Sequence, residues 1–341
     1  MNRRTIISFG MPNGVVKKVN YMRNKILLTA LVVGIALMGL VSANIQLDRI
    51  SKVVPASQNI NIDVKVNIDS PVVPDKVPVY RVAEAIVSQN EAISIAKDFS
   101  FTSNPVVITY PTQPENKSSP MKTKYLFKNG NEQLGIDASS NAITYAKNDK
   151  LMKPSASLPS ESEAIKIAQE FLKSHGVTIN DASVETETIY LNKLNVETNQ
   201  ILDKIPMMVQ VKFKRNINGV PVVGPGGKII VDIGNNGEPI YFFKNWRLLE
   251  PAGTSGIIPF SRAVEKLSRL EVKDVPVTPL KSVEIVGAKL GYYEAESTEE
   301  QKIYTPVWIF DVKNSMGTER ISLYVDALNW HPYFYSLRKL K

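Results

Sequence analysis

His175 and His331 are the only imidazoles in the chain, and it has no cysteine. Together these two facts remove much of the covalent and metal chemistry a protein can use. A thermolysin-type zinc site needs two histidines one helical turn apart with a glutamate base beside them. His175 instead lies in Lys173-Ser174-His175-Gly176, and His331 precedes Pro332. The first reads as a helix-end residue, because a basic group before a terminating glycine complements the helix dipole. The second reads as a structural histidine among aromatics. A serine hydrolase needs a base and an orienting acid at its nucleophile, and no Gly-x-Ser-x-Gly elbow is present. Without cysteine, disulfides, thiolate zinc sites and cysteine nucleophiles are excluded together.

Two clusters remain. Gly224-Pro225-Gly226-Gly227-Lys228 lacks the spacing of a phosphate-binding loop and runs into a strand pattern, so it reads as a hairpin loop. Glu294, Glu296, Glu299 and Glu300, beside Ser297 and Thr298, read as a solvated loop, with weak calcium binding as the alternative. No catalytic residue, cofactor or metal is expected. Aromatics are the better candidates for function. Neighbours such as Tyr292 and Tyr293 must point to opposite faces of a strand, and an exposed aromatic contributes strongly to binding. Tyr241, Trp246, Tyr292, Tyr293, Tyr304 and Trp308 are therefore the partner-binding candidates.

The elements that would position them follow an internal repeat. Ser88-Gln-Asn-Glu91-Ala92-Ile93-Ser-Ile95-Ala96 matches Ser160-Glu-Ser-Glu163-Ala164-Ile165-Lys-Ile167-Ala168, and both open with the Ser-x-x-Glu of a capping box. A looser third copy runs from Phe260 to Leu267. After each helix the period changes to two, with Asn129-Gly130, Asn218-Gly219 and Asn236-Gly237 as hairpin turns. Asp137, Asp232 and Asp326 each close a strand before a turn, where a carboxylate accepts bonds from nearby amides. These signals predict an α+β protein: an N-terminal transmembrane or signal helix, then three repeats of one helix packed on a three- to four-stranded antiparallel meander.

Glu-Ala-Ile-x-Ile-Ala, the strand pairs and the terminal Val-Asp-Ala/Ile turn together resemble the PepSY domain and the related propeptide of thermolysin-like proteases. Val211 to Trp246, with Asn218-Gly-Val-Pro-Val-Val and Gly227-Lys-Ile-Ile-Val-Asp-Ile, is similar to YycI-type extracytoplasmic regulators of a sensor kinase. Gly291-Tyr292-Tyr293 and Tyr304-Thr-Pro306-Val-Trp308 fit the last unit of such proteins. The resemblance covers residues 88 to 335. It implies a non-catalytic module outside the cytoplasm that binds or restrains a protease or a membrane sensor.

Export is expected independently. Ile26 to Leu40 is apolar and uncharged and extends to Ile45, near the roughly 20 residues a membrane helix needs. Arg3, Arg4, Lys17, Lys18, Arg23 and Lys25 precede it with no acidic residue, which keeps the N-terminus cytoplasmic. Two fates stay open: a retained anchor, or cleavage after Val41-Ser42-Ala43, with Met22 as an alternative start. Most of the net charge of +8 sits in that leader, and no basic stripe follows, so nucleic acid is excluded as a partner. Asn116-Lys117-Ser118 is a glycosylation sequon.

The expected organisation is a basic tail over 1–25, a membrane or signal segment over 26–45 and a proline-containing stalk over 46–84. PepSY-like units then follow over 85–153, 154–252 and 253–341. The expected function is regulation or inhibition of a protein partner outside the cytoplasm. The rivals are a cell-surface protein presenting peptide, glycan or envelope contacts, and an enzyme with an unrecognised site.

Overall fold

Alternation of apolar and polar residues governs most of the described chain, and among the described residues strand outweighs helix accordingly, 51% to 15%. The computed structural model describes residues 61–328 apart from 85, 112–120, 196, 197, 199, 275–279 and 315–319, together with two short strands near the N-terminus. The apolar segment 26–45, the possible cleavage site, Asn116 and His331 lie outside the described residues. Among those described, no helix is long and apolar enough to cross a membrane.

The strands are β1 (Thr5–Phe9), β2 (Val19–Asn20), β3 (Asp63–Val66), β4 (Lys76–Val82), β5 (Val106–Pro111), β6 (Met121–Asn129), β7 (Glu132–Asp137) and β8 (Ile143–Lys147). They continue as β9 (Ala182–Asn195), β10 (Ile201–Ile217), β11 (Val220–Val223), β12 (Lys228–Ile233), β13 (Pro239–Asn245), β14 (Leu249–Gly256), β15 (Ser282–Tyr293), β16 (Ile303–Asn314) and β17 (Arg320–Asp326). The helices are α1 (Gln89–Asp98), α2 (Glu161–Ser174) and α3 (Phe260–Ser268).

The chain divides into two units, each built from separated stretches of the sequence. The first includes Ala85–Lys214 and Lys228–Trp246. Its strands run β5-β6-β7-β8-β13-β12-β10-β9 in one sheet. The Asn-Gly pairs make its turns: Gly130 has φ 57°, and Asn236 and Gly237 have φ 56° and 76°, the left-handed backbone such turns require. Ser88 caps α1 by a full capping box, accepting from the Glu91 amide while the Glu91 carboxylate accepts from the Ser88 amide at 2.7 Å. Ser160 caps α2 through the Glu163 amide. Ala92 and Ala96 of α1 enter the same core as Ala164, Ala168 and Leu172 of α2, against Phe127, Ile136, Val211, Val231 and Phe242.

That shared core overturns the expected repeat of one helix on one meander. The pairing of β8 with β13, Tyr241↔Ala146 through Lys244↔Ile143, fuses what would have been two meanders into one sheet. An unpaired strand edge seeks a partner, and the two runs satisfy each other. The chain is therefore mainly β-sheet, with three helices among its described residues, and not three PepSY-like units.

The second unit includes Arg49–Glu84, Arg215–Gly227 and the chain from Arg247 onward. β15, β16 and β17 form an antiparallel sheet. β3 and β11 both add to β15 in parallel, at Val64↔Val283 and Val222↔Tyr292. β4 pairs with β14 and with the start of β16. The residues expected as a stalk thus supply two strands, because Ile62, Val77 and Val79 have core positions to fill and burial outweighs the extended preference of the prolines around them. In the same unit, α3 buries Ala263 and Leu267 with Ile62, Ile285, Trp308, Phe310 and Val325.

Candidate functional site

The unusual chemistry of the second unit gathers where β15 ends. Val223 and Tyr293 are register partners, and the chain after β11 turns through Gly224-Pro225-Gly226-Gly227. The Glu294 amide donates to Val223 O at 2.9 Å, and the Gly226 amide donates to Glu294 O at 3.0 Å. The glycines are required by space. A Cβ on Gly224 would lie 2.6 Å from Glu294 O, and Gly227 places one 2.5 Å from Val222 Cγ1. Gly224 and Gly227 also hold φ of 95° and 65°, a region open mainly to glycine. The segment read as an ordinary hairpin loop is a sleeve around one carboxyl group.

That carboxyl belongs to Glu294, which is wholly buried. Burial pushes it up to about 7, against the opposing pull of the Arg247 and Arg215 charges and the amides of Gly227 and Arg247. Arg215 donates to Arg247 O at 2.6 Å and to Tyr304 Oη at 3.3 Å, with its guanidinium over the Tyr304 ring. Arg247, only 4% exposed, donates to Glu296 O at 2.6 Å, to Glu299 O at 2.8 Å and to the Gln301 side chain. Gln301 donates in turn to Tyr293 O at 2.7 Å and accepts from the Ala295 amide at 2.9 Å. A buried cation engaged with backbone carbonyls orders the loop that carries them. The expected solvated acidic loop is thus clamped from beneath, with Glu299 and Glu300 exposed at its tip. Among the described residues no group of acids and histidines could hold a metal ion.

Four of the six aromatic candidates are buried around this region and in the core. Tyr304 and Trp308 have no exposed surface, and Tyr292 and Tyr293 have little. Each polar tip is used internally: Tyr292 Oη donates to Pro78 O at 2.8 Å, Tyr293 Oη to Asp274 at 2.8 Å, and Trp308 Nε1 to Ile258 O at 3.1 Å. Buried aromatics with satisfied tips are framework, so these rings present no face to a partner. Trp246 packs half-buried against the core of the first unit.

Tyr241, also half-buried, stands beside Asp232 in the first unit. Burial pushes the Asp232 carboxyl up to about 7, opposed by Gln210, which donates to it at 2.8 Å, and by Lys212. Asp232 therefore departs from the expected turn role. Asp137 fulfils that role by accepting from the Ser139 and Ser140 amides at 3.0 Å, and it accepts from Tyr110 Oη at 2.6 Å besides. His175 is the C-cap residue of α2, with Nδ1 donating to Phe171 O at 2.7 Å and its ring between Phe99 and Phe171.

One surface feature escaped the sequence reading. β5 is an edge strand: among the described residues it pairs with β6 alone. Its sequence is Val-Val-Ile-Thr-Tyr-Pro, and Val106, Val107 and Ile108 are 58%, 48% and 38% exposed. Its only sequence signal was a β-branched run between Pro105 and Pro111.

No family model matches the chain, and no curated protein matches it. Among solved structures it is similar to an uncharacterised protein from Eubacterium rectale, with 13% identity and a TM-score of 0.43 over 81% of this chain and 91% of that one. The C-terminal domain of Bacillus megaterium YpeB matches with 13% identity and a TM-score of 0.30 over 72% of this chain and 94% of that one. Both likenesses are too slight for a fold or a function to be carried from them.

Proposed function

We propose that the chain is a non-catalytic binding protein outside the cytoplasm that regulates or inhibits a protein partner, a membrane sensor kinase or a protease. The clamp of Arg247 on the loop Glu296–Gln301 carries this reading. A loop whose backbone is fixed from within loses little entropy when it is bound, and its exposed Glu299 and Glu300 suit a basic segment on the partner. The buried acids support the same view, because Glu294, Asp232 and Asp137 each have partners within their own unit.

Residues 26–45 deliver the body across the membrane, either as a retained single-pass anchor or as a leader removed near Ala43. Mass spectrometry of the mature N-terminus separates these, and a chain beginning at Asn44 would exclude the anchor. For binding, the full chain carrying Glu299→Lys and Glu300→Lys is compared with the parent in crosslinking pull-downs from membranes. Loss of a kinase or protease from the variant supports the proposal. Equal recovery from both chains, or recovery of envelope polymer alone, overturns it.

A further inference from the structure

The geometry of β5 points to a second function for the body: we propose that two copies of the chain pair through this edge, strand against strand, about a two-fold axis at Ile108. The direction of the backbone groups follows from the neighbouring ladder. The Ala138 amide donates to Thr123 O at 2.9 Å, so Thr123 turns its backbone toward β7. Along a strand successive residues alternate sides, so Lys122, Lys124 and Leu126 turn theirs toward β5. Their register partners are Tyr110, Ile108 and Val106. Val107 and Thr109 therefore direct their amide and carbonyl groups outward, where the described residues supply no strand. Pro105 and Pro111 take the next outward positions, one at each end.

Proline at those positions costs the internal ladder nothing, since the missing amide faces out. It also limits the free edge to five residues. In an antiparallel pairing centred on Ile108, Val107 lies opposite Thr109 of the partner subunit, and every outward amide finds a carbonyl. Pro105 then lies opposite Pro111 of the partner subunit, so the ladder stops where neither chain has a donor to offer.

The side chains fit the same symmetry. Edge strands are ordinarily protected by shortness, charge or proline; here proline stands only at the two ends of the free edge and Val106 to Tyr110 includes no charge, so like charges do not meet when the strand faces its own copy. Val106, Val107 and Ile108, 58%, 48% and 38% exposed in the single chain, would be covered by the same residues of the partner subunit. A strand unlike β5 would have no need of ends placed evenly about Ile108, and this favours a second copy as the occupant. Such a contact is isologous. It is also small beside the roughly 800 Å² per partner of a standard stable interface, so pairing is weak and rises with concentration.

The absence of cysteine makes the test direct. In this register the two copies of residue 108 form a non-hydrogen-bonded pair, with Cα atoms about 4.5 Å apart, at the short end of the range a disulfide spans. The full-length chain carrying Ile108→Cys is oxidised mildly in membranes, with Val184→Cys, exposed elsewhere on the first unit, as reference. The expected result is about tenfold more covalent dimer for Ile108→Cys than for the reference. Adding Val107→Pro, or Thr109→Lys as a second variant, lowers the yield to the reference level, while the melting temperature confirms that each variant is folded. Equal yields at the two positions, or a yield that survives both blocking substitutions in folded protein, overturns the proposal.

Discussion

Gly226 and Glu294 are packed so closely that a Cβ on the glycine would stand 2.4 Å from Glu294 Cγ and 2.6 Å from the carbonyl oxygen of Ala295. One of those atoms is backbone, so the strain cannot be relieved by rotating a side chain. Gly226→Ala should therefore loosen the loop and destabilise the second unit by about 1–3 kcal/mol, the usual cost of overpacking. Urea unfolding followed by Trp fluorescence would measure it. A variant as stable as the parent would show that the loop does not need the space.

The buried acids set a pH dependence. Asp232 rises from 3.8 to about 7 and Glu294 from 4.5 to about 7 on folding. A folded value above the unfolded one means that the native state holds a proton the unfolded chain releases. Stability due to each group is thus greatest below the unfolded value, falls as pH rises through the folded value, and is flat above it. Asp232→Asn, which keeps an acceptor for Gln210, should gain on the order of 1–3 kcal/mol relative to the parent at about pH 8 and little at about pH 4. Chemical denaturation at the two pH values tests this, and an unchanged slope would count against a protonated Asp232.

Trp308 separates framework from binding surface. It is fully buried, stacked on Phe310 and bonded to Ile258 O. Trp308→Ala should cost about 3–5 kcal/mol by leaving a cavity and a carbonyl without its donor. Differential scanning calorimetry should record a large fall in melting temperature. A folded variant of normal stability that had lost only its partner would restore Trp308 as a contact residue.

The two helix caps should differ. Ser88 takes part in a reciprocal capping box, whereas Ser160 accepts from the Glu163 amide. Ser88→Ala and Ser160→Ala should each cost about 0.5–2 kcal/mol. The Ser88 change should be the larger, because the Glu91 carboxylate also loses the Ser88 hydroxyl that donates to it at 2.8 Å. Parallel thermal melts of the two variants decide the order.

What was legible in the sequence was local. The Ser-x-x-Glu caps and the alanine stripes mark α1 and α2, and the Asn-Gly pairs mark three hairpins, because these signals lie within a few residues of one another. Pairing between distant strands leaves no such mark. Nothing near Ala146 announces Tyr241 as its neighbour, and nothing near Val64 announces Val283. The expected repeat failed there, on the edges its meanders would have left open. Glu294 was misread for a related reason. Its companions Glu296 to Glu300 suggest solvent, while the glycines that enclose it lie some seventy residues earlier. Four of the aromatic candidates are buried, which alternation could not announce, because it says which rings share a face but not which face is covered.

The parallel addition of β3 to β15 has a consequence for the order in which the chain can mature. Asn67, just past the end of β3, donates to Glu284 of β15, 217 residues away in the chain, and the first unit's long segment Ala85–Lys214 is spelled between them. As the polypeptide is synthesised, the hairpins and helices of the first unit can close soon after they emerge. The second cannot complete its sheet until β15 to β17 arrive, and contacts of such long range are slow to form. The clamp around Glu294 is therefore among the last parts of the molecule to be assembled, and a chain released early would be folded in one unit and open in the other.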